Sequence, residues 1–228
     1  MSEGGAARRW LLDSPARTAA QALLRRRWDL RVDPGGLPAH GPVIVAGNHI
    51  GVMDGPLMAV MSPRPVHALT KEEMFTRSVG PLLRASGQIR LDRHRPDRAA
   101  IRSSVATLER GSVLGIFPEG RRGDGELRRI FGGTAYLALV TGAPIVPLLF
   151  FGTREPGRGS NWIPPRGQRI DLVFGEPLVL DPVIWPRTRD TVQAATREVH
   201  QHLRAHLAAT LAATGLTLPG PLPDPEDA

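Results

Sequence analysis

A histidine and an aspartate five positions apart lie in GNHIGVMDGP, residues 47–56, directly after the apolar run PVIVA. An imidazole whose one nitrogen is fixed by a carboxylate keeps its other nitrogen free as a base. Histidine ordinarily titrates near about 6.5, which suits removal of a hydroxyl proton at neutral pH. Residues five apart do not share a helix face, so direct contact needs a bend or a helix start between His49 and Asp54. Gly51 allows one, and Pro56 suits the first turn of a helix that follows. Taken alone, the spacing also fits an aspartate that caps a helix beside an ordinary turn histidine, and that reading is the more economical one.

Two other polar clusters follow apolar runs. FPEGRRG, residues 117–123, sets a carboxylate, a glycine and two arginines after SVLGI. Gly120 lets backbone approach a ligand closely, Arg121 or Arg122 could fork onto a phosphate, and Glu119 could orient a hydroxyl or hold an arginine. LDR ends the run GQIRLD with Arg93. The plain alternative for both is a surface turn with a weak ion pair.

These clusters can meet only if the right elements carry them. Strands are expected over 43–46, 65–70, 88–92, 112–117, 145–151 and 169–174, and helices over 57–61, 74–85, 97–110, 134–141 and 188–213. Strands alternating with helices predict βαβ units: an α/β fold, one domain with a central, largely parallel (mixed) sheet flanked by helices. In such a sheet the strands' C-terminal ends open onto one edge, where ligands bind. His49, Arg93 and Glu119 would then converge.

The 228 residues suit one such domain, and no cysteine is present, which excludes a thiol nucleophile, disulfides and thiolate metal sites. The formal net charge is +7, carried almost wholly by arginine, with Lys71 the only lysine. Such a balance fits either an acidic partner or a compositional bias. Residues 7–30 read as an arginine-rich helix with Leu12, Ala16, Ala20 and Leu23 on one stripe and Trp10 and Trp28 flanking it. That helix either packs on the domain or lies in a membrane interface. The most apolar stretch, YLALVTGAPIVPLLFFG, is broken by Gly142, Pro144 and Pro147 and is too short to span a bilayer. The start, MSEGGAARRW, runs into polar residues, so no signal peptide is expected.

In this order the motifs resemble those of the glycerolipid acyltransferases, above all the 1-acyl-sn-glycerol-3-phosphate (lysophosphatidic acid) acyltransferases. NHIGVMD matches the family's NHX4D at Asn48, His49 and Asp54. TKEEMF…GPLLRASGQIRLDR matches the second block at Lys71, Gly87 and Arg93. FPEGRRG matches FPEGTRS at Phe117, Pro118, Glu119, Gly120 and Arg122, and IVP matches the fourth motif at Ile145–Pro147. The resemblance runs from about residue 37 to residue 177. Arg121 in place of threonine and Arg90 at a commonly apolar position depart from the pattern. The resemblance implies a glycerol-3-phosphate acyltransferase-like fold for a catalytic domain at 37–214; the basic helix and linker are expected at 1–36, and the Pro-rich, acidic tail at 215–228 is expected to be disordered. It implies that His49 and Asp54 are catalytic and that Asn48, Lys71, Arg93, Glu119, Gly120 and Arg122 bind substrate. It implies no metal and no resident cofactor; acyl-CoA or acyl-carrier protein would be co-substrate, and backbone N–H groups near Gly120 would stabilise the oxyanion. The acceptor would be a lysophospholipid, with glycerol-3-phosphate as an alternative. The protein would work peripherally on an anionic membrane surface, at the inner face of the cell membrane, with no nucleic-acid partner. A non-enzymatic basic membrane-binding protein and a His/Asp hydrolase are the rival readings.

Overall fold

The computed structural model describes residues 11–223; Arg8, Arg9 and Trp10 of the expected basic helix lie outside them. Seven strands form one sheet: β1 (Asp29–Asp33), β2 (Val43–Gly47), β3 (Val66–Lys71), β4 (Ile89–Leu91), β5 (Val113–Ile116), β6 (Ile145–Phe151) and β7 (Arg169–Phe174). Their order is β1-β7-β6-β2-β5-β3-β4. Strands β2, β3, β4, β5 and β6 run parallel, while β7 is antiparallel to β6 and parallel to β1. The expected mixed, largely parallel sheet is therefore present.

Side chains of the central strands alternate between two cores, as the two-residue period of a strand requires. From β2, Val43 and Val45 face one core and Ile44 and Ala46 the other; from β6, Phe150 and Phe151 divide in the same way. Helices α1 (Pro15–Arg27) and α2 (Asp54–Met61) lie toward the first core. Helices α4 (Arg98–Glu109), α5 (Gly133–Thr141) and α6 (Arg189–Thr214) cover the second. Both faces are covered, which explains why β2, β5 and β6 are uniformly buried and read as plain apolar runs.

Several expectations change. Residues 29–33, expected in the N-terminal helix and linker, form edge strand β1, so the sheet begins before residue 37. The expected helix 74–85 is a 3-10 turn, Glu72–Phe75, followed by the short α3 (Gly80–Ala85). The chain reverses tightly there: a Cβ on Gly80 would lie 2.1 Å from the Phe75 carbonyl oxygen. Helix α1 does not pack through the stripe read from its sequence, since Ala16 and Leu23 are exposed. It docks through Arg17 and Gln21, which donate to the Val60 carbonyl at 3.1 and 2.8 Å; Arg17 also reaches the Ser62 carbonyl. These are the carbonyls that the end of α2 leaves unpaired. Trp28, which would face headgroups if the helix lay in a membrane interface, is instead buried in the core and donates from Nε1 to the Pro164 carbonyl. The expected disordered tail is packed up to residue 220: Leu216 and Leu218 lie on the second core, and Pro219 is buried.

Candidate active site

Five parallel strands deliver polar residues to one edge. His49 follows β2, Lys71 ends β3, Arg93 follows β4, Glu119 to Arg122 follow β5, and Thr153 and Arg154 follow β6. The sheet direction that sequence alternation implied is what gathers them.

Helix α2 begins at Asp54 itself rather than at Leu57, and a short turn over 51–53 separates it from His49. Asp54 is fully buried. Its Oδ2 accepts from His49 Nδ1 at 2.8 Å, from the Ile50 N–H at 2.7 Å and from the Gly51 N–H at 2.8 Å; its Oδ1 accepts from Thr153 Oγ1 at 2.5 Å. The N-cap of α2 is Met53, which makes no side-chain cap bond. Asp54 is therefore an imidazole-orienting carboxylate and not a helix cap. Four donors satisfy it, which offsets the cost of burying a charge. Gly51 is required for space: a Cβ there would lie 2.6 Å from the Thr153 carbonyl oxygen.

With Nδ1 donating to Asp54, the His49 tautomer leaves Nε2 as the basic nitrogen. Nε2 has no hydrogen-bond partner among the described residues, and the side chain is 20% exposed, enough to meet a substrate. Phe117 stacks on the imidazole, with ring centres 4.0 Å and planes 17° apart, and fixes the ring's second rotation. Glu119 Oε1 accepts the His49 backbone N–H at 3.0 Å, and the His49 carbonyl accepts from the Gly123 N–H at 2.8 Å. The loops after β2 and β5 are thus tied on both sides of His49. Burial pushes the Glu119 carboxyl up to about 7, against the pull of the His49 N–H.

The residues expected to bind substrate divide. Lys71 and Arg93 come together with Arg122: burial first, then the Arg122 and Arg93 guanidiniums, hold the Lys71 ammonium below its ordinary range, while Glu73 opposes them. Arg77 adds to the lowering, and cations whose fields act on one another in this way favour a nearby anion. Arg93 also donates to the Gly120 carbonyl at 3.3 Å. Arg122 donates to the Ser160 carbonyl at 2.9 Å and Asn161 Oδ1 at 3.0 Å, so the loop between β6 and β7 aims it. Arg90, a departure from the motif, turns outward to Glu72. Asn48, expected to bind substrate, is fully buried and clips β6: its Oδ1 accepts the Phe150 N–H at 2.8 Å and its Nδ2 donates to the Phe150 carbonyl at 3.3 Å. Gly120 adopts a left-handed φ of 71°, and its N–H closes a turn onto the Phe117 carbonyl, so that N–H is not an open oxyanion donor. Glu119 holds the His49 backbone rather than a hydroxyl or an arginine.

Thr153 and Arg154 escaped the motif reading. Arg154 is 2% exposed and spends its guanidinium on carbonyls: Nε on Ile50 at 2.8 Å, Nη1 on Arg158 at 3.0 Å, and Nη2 on Gly123 at 2.9 Å and Gly220 at 2.6 Å. It joins the loops after β2, β5 and β6 to the C-terminal segment. Their position directly after a parallel strand was the available signal. Among the described residues no group of three or more His, Cys, Asp or Glu side chains is placed to hold a metal ion.

A family model described as Acyltransferase matches residues 32–150. A 1-acyl-sn-glycerol-3-phosphate acyltransferase of Bacillus subtilis (strain 168) is 27% identical over 172 residues, 74% of this chain and 82% of that protein. A protein of the same name from Borreliella burgdorferi is 32% identical over 123 residues, covering 52% of this chain and 49% of its own. The human 1-acyl-sn-glycerol-3-phosphate acyltransferase beta is 31% identical over 131 residues; this match spans 46% of the human protein. The crystal structure of the 1-acyl-sn-glycerophosphate (LPA) acyltransferase PlsC from Thermotoga maritima superposes with a TM-score of 0.62 at 23% identity, covering 92% of this chain and 84% of that one, and shows a shared fold. The family match reaches from the end of β1 to the end of β6 and takes in the His49–Asp54 turn, Lys71, Arg93 and the FPEG loop: the chain belongs to the Acyltransferase family.

Proposed function

We propose that this protein acylates lysophosphatidic acid at its free hydroxyl, using an acyl thioester as donor and releasing phosphatidic acid. The observation that carries this reading is the His49 Nδ1 to Asp54 Oδ2 bond of 2.8 Å, with Nε2 exposed at the edge where Lys71, Arg93 and Arg122 assemble. The cation cluster holds the acceptor's phosphate. His49 Nε2 takes the proton of the acceptor hydroxyl as that oxygen bonds to the thioester carbonyl carbon. The tetrahedral intermediate expels the thiolate by breaking its C–S bond, and the imidazolium returns the proton to sulfur. Asp54 keeps the tautomer and stabilises the imidazolium. The donor, acyl-CoA or acyl-carrier protein, enters as a co-substrate, and the reaction uses no resident cofactor.

The names of the relatives support this acceptor, and the amphipathic substrate supports work at an anionic membrane surface, peripherally on the inner face of the cell membrane. No helix among the described residues is long and apolar enough to cross a membrane. Purified protein incubated with lysophosphatidic acid and either donor should form phosphatidic acid, read by lipid mass spectrometry. Product from glycerol-3-phosphate or another lysolipid alone would move the acceptor. Absence of product from every glycerolipid acceptor would overturn the reading.

A further inference from the structure

A second feature lies beside the FPEG loop, outside the His49 site. An open cleft of about 580 Å³ is bounded by Arg129 and Phe131, which precede α5, and by Arg187, Arg189, Val192 and Arg197, at and near the start of α6. Four arginines and no acidic residue line it. Arg187 and Arg189 flank the N-terminus of a 26-residue helix, the end where the helix dipole disfavours added positive charge. Asp190, in the same first turn, does not line the cleft. The Arg187 Nε is buried and makes no hydrogen bond among the described residues. Cations gathered against the positive end of a helix dipole are an arrangement that an anion in the cleft relieves. The cleft also has apolar walls: Phe131 is 57% exposed, and the Arg129 guanidinium lies over its ring, 5.6 Å from the centre.

Phe131 connects this cleft to the reaction site. Its N–H donates to the Pro118 carbonyl at 2.8 Å, and its ring would lie 2.7 Å from a Cβ on Gly120. A ligand in the cleft is therefore one residue's width from the loop that holds His49 through Glu119.

We infer that this cleft binds the nucleotide end of coenzyme A in the acyl donor. That end carries a diphosphate, a 3′-phosphate and an adenine, so it matches several guanidiniums set around an aromatic wall. The volume lies within the range of pockets that enclose a small ligand. The inference rests on the thioester-donor reading for the ligand's identity; the cleft and its charge do not depend on it.

The test is calorimetric titration of the protein with coenzyme A and with adenosine 3′,5′-bisphosphate. The probes are wild type, the double variant Arg187→Gln/Arg189→Gln and the charge-retaining Arg187→Lys/Arg189→Lys. Expected is saturable binding of both ligands by wild type, with Kd raised about tenfold or more in the glutamine variant, as loss of charge-assisted contacts implies, and by less in the lysine variant. In turnover, KM for acyl-CoA rises with it, while kcat and the acceptor KM stay within about twofold of wild type. Kd values equal in wild type and glutamine variant would overturn the assignment. So would turnover supported by acyl-carrier protein with no coenzyme A binding, an outcome that leaves the acyl-transfer reading standing. Arginine-dependent coenzyme A binding without any acylated lipid would do the reverse: the site stands and the acyl-transfer reading falls.

Discussion

At the scale of single residues, the site is a chain of backbone and side-chain bonds that leaves one nitrogen open. Asp54 is fully used by its four donors, Phe117 sets the ring plane, and Glu119 anchors the His49 backbone. Glu119 carries a pH signature. Unfolded, its carboxyl ionises near its ordinary 4.5; folded, it keeps its proton up to about 7 because burial penalises the charge. Between those values the folded state binds more protons than the unfolded state, so this group's contribution to stability falls as pH rises and is lowest above about 7. Glu119→Gln keeps an oxygen for the His49 N–H and removes the ionisation. Thermal melts should show the variant gaining on wild type from pH 5 to pH 8; a difference independent of pH would contradict the assignment. The residue types that do chemistry were legible in sequence because NHX4D and FPEG preserve both identity and spacing. Their contacts were not. Asn48 and Glu119 stand in those motifs, yet their bonds run to Phe150 and His49, which only the folded chain brings near, while the Gly120 N–H closes a local turn onto Phe117.

At the scale of elements, the decisive fact is strand direction. Strand-like runs alternating with helix-like ones implied parallel strands, and parallel strands bring the polar clusters that follow them to one edge. The same logic, applied to β6, would have picked out Thr153 and Arg154. It was missed because GTRE resembles an ordinary strand-to-loop exit, and nothing local marks an arginine as buried. Edge strand β1 was hidden in another way: DLRVD is short, has three charged residues of five and closely follows an arginine-rich helix. Helix α1 misled because Leu24, outside the expected stripe, is its apolar contact with the first core and the rest of its docking is polar; Arg17 and Gln21 close the end of α2, whose other end carries Asp54. Arg154 makes the strongest prediction at this scale. Arg154→Met leaves four carbonyls from four segments without their donor, which should cost about 3 kcal/mol. Urea denaturation should show a lower midpoint with unchanged slope. A midpoint within error of wild type would show that the buried guanidinium is dispensable.

At the scale of the whole molecule, a two-sided core and one polar edge divide the labour. The two apolar clusters back the sheet on both faces, and the edge is left to the loops that carry His49, Lys71, Arg93 and Arg122. The excess of arginine, ambiguous in the sequence, acquires a location at that edge and in the cleft at the start of α6. Such a molecule should lose nearly all its chemistry with one imidazole and keep its fold. The most direct measurement is the rate of phosphatidic acid formation from lysophosphatidic acid and acyl-CoA, both saturating, for wild type and His49→Ala, with thermal melts alongside. A general-base role for His49 predicts a fall in kcat of about 10²–10⁴ or more, with the melting temperature little changed. A His49→Ala enzyme within a few-fold of wild type would contradict it.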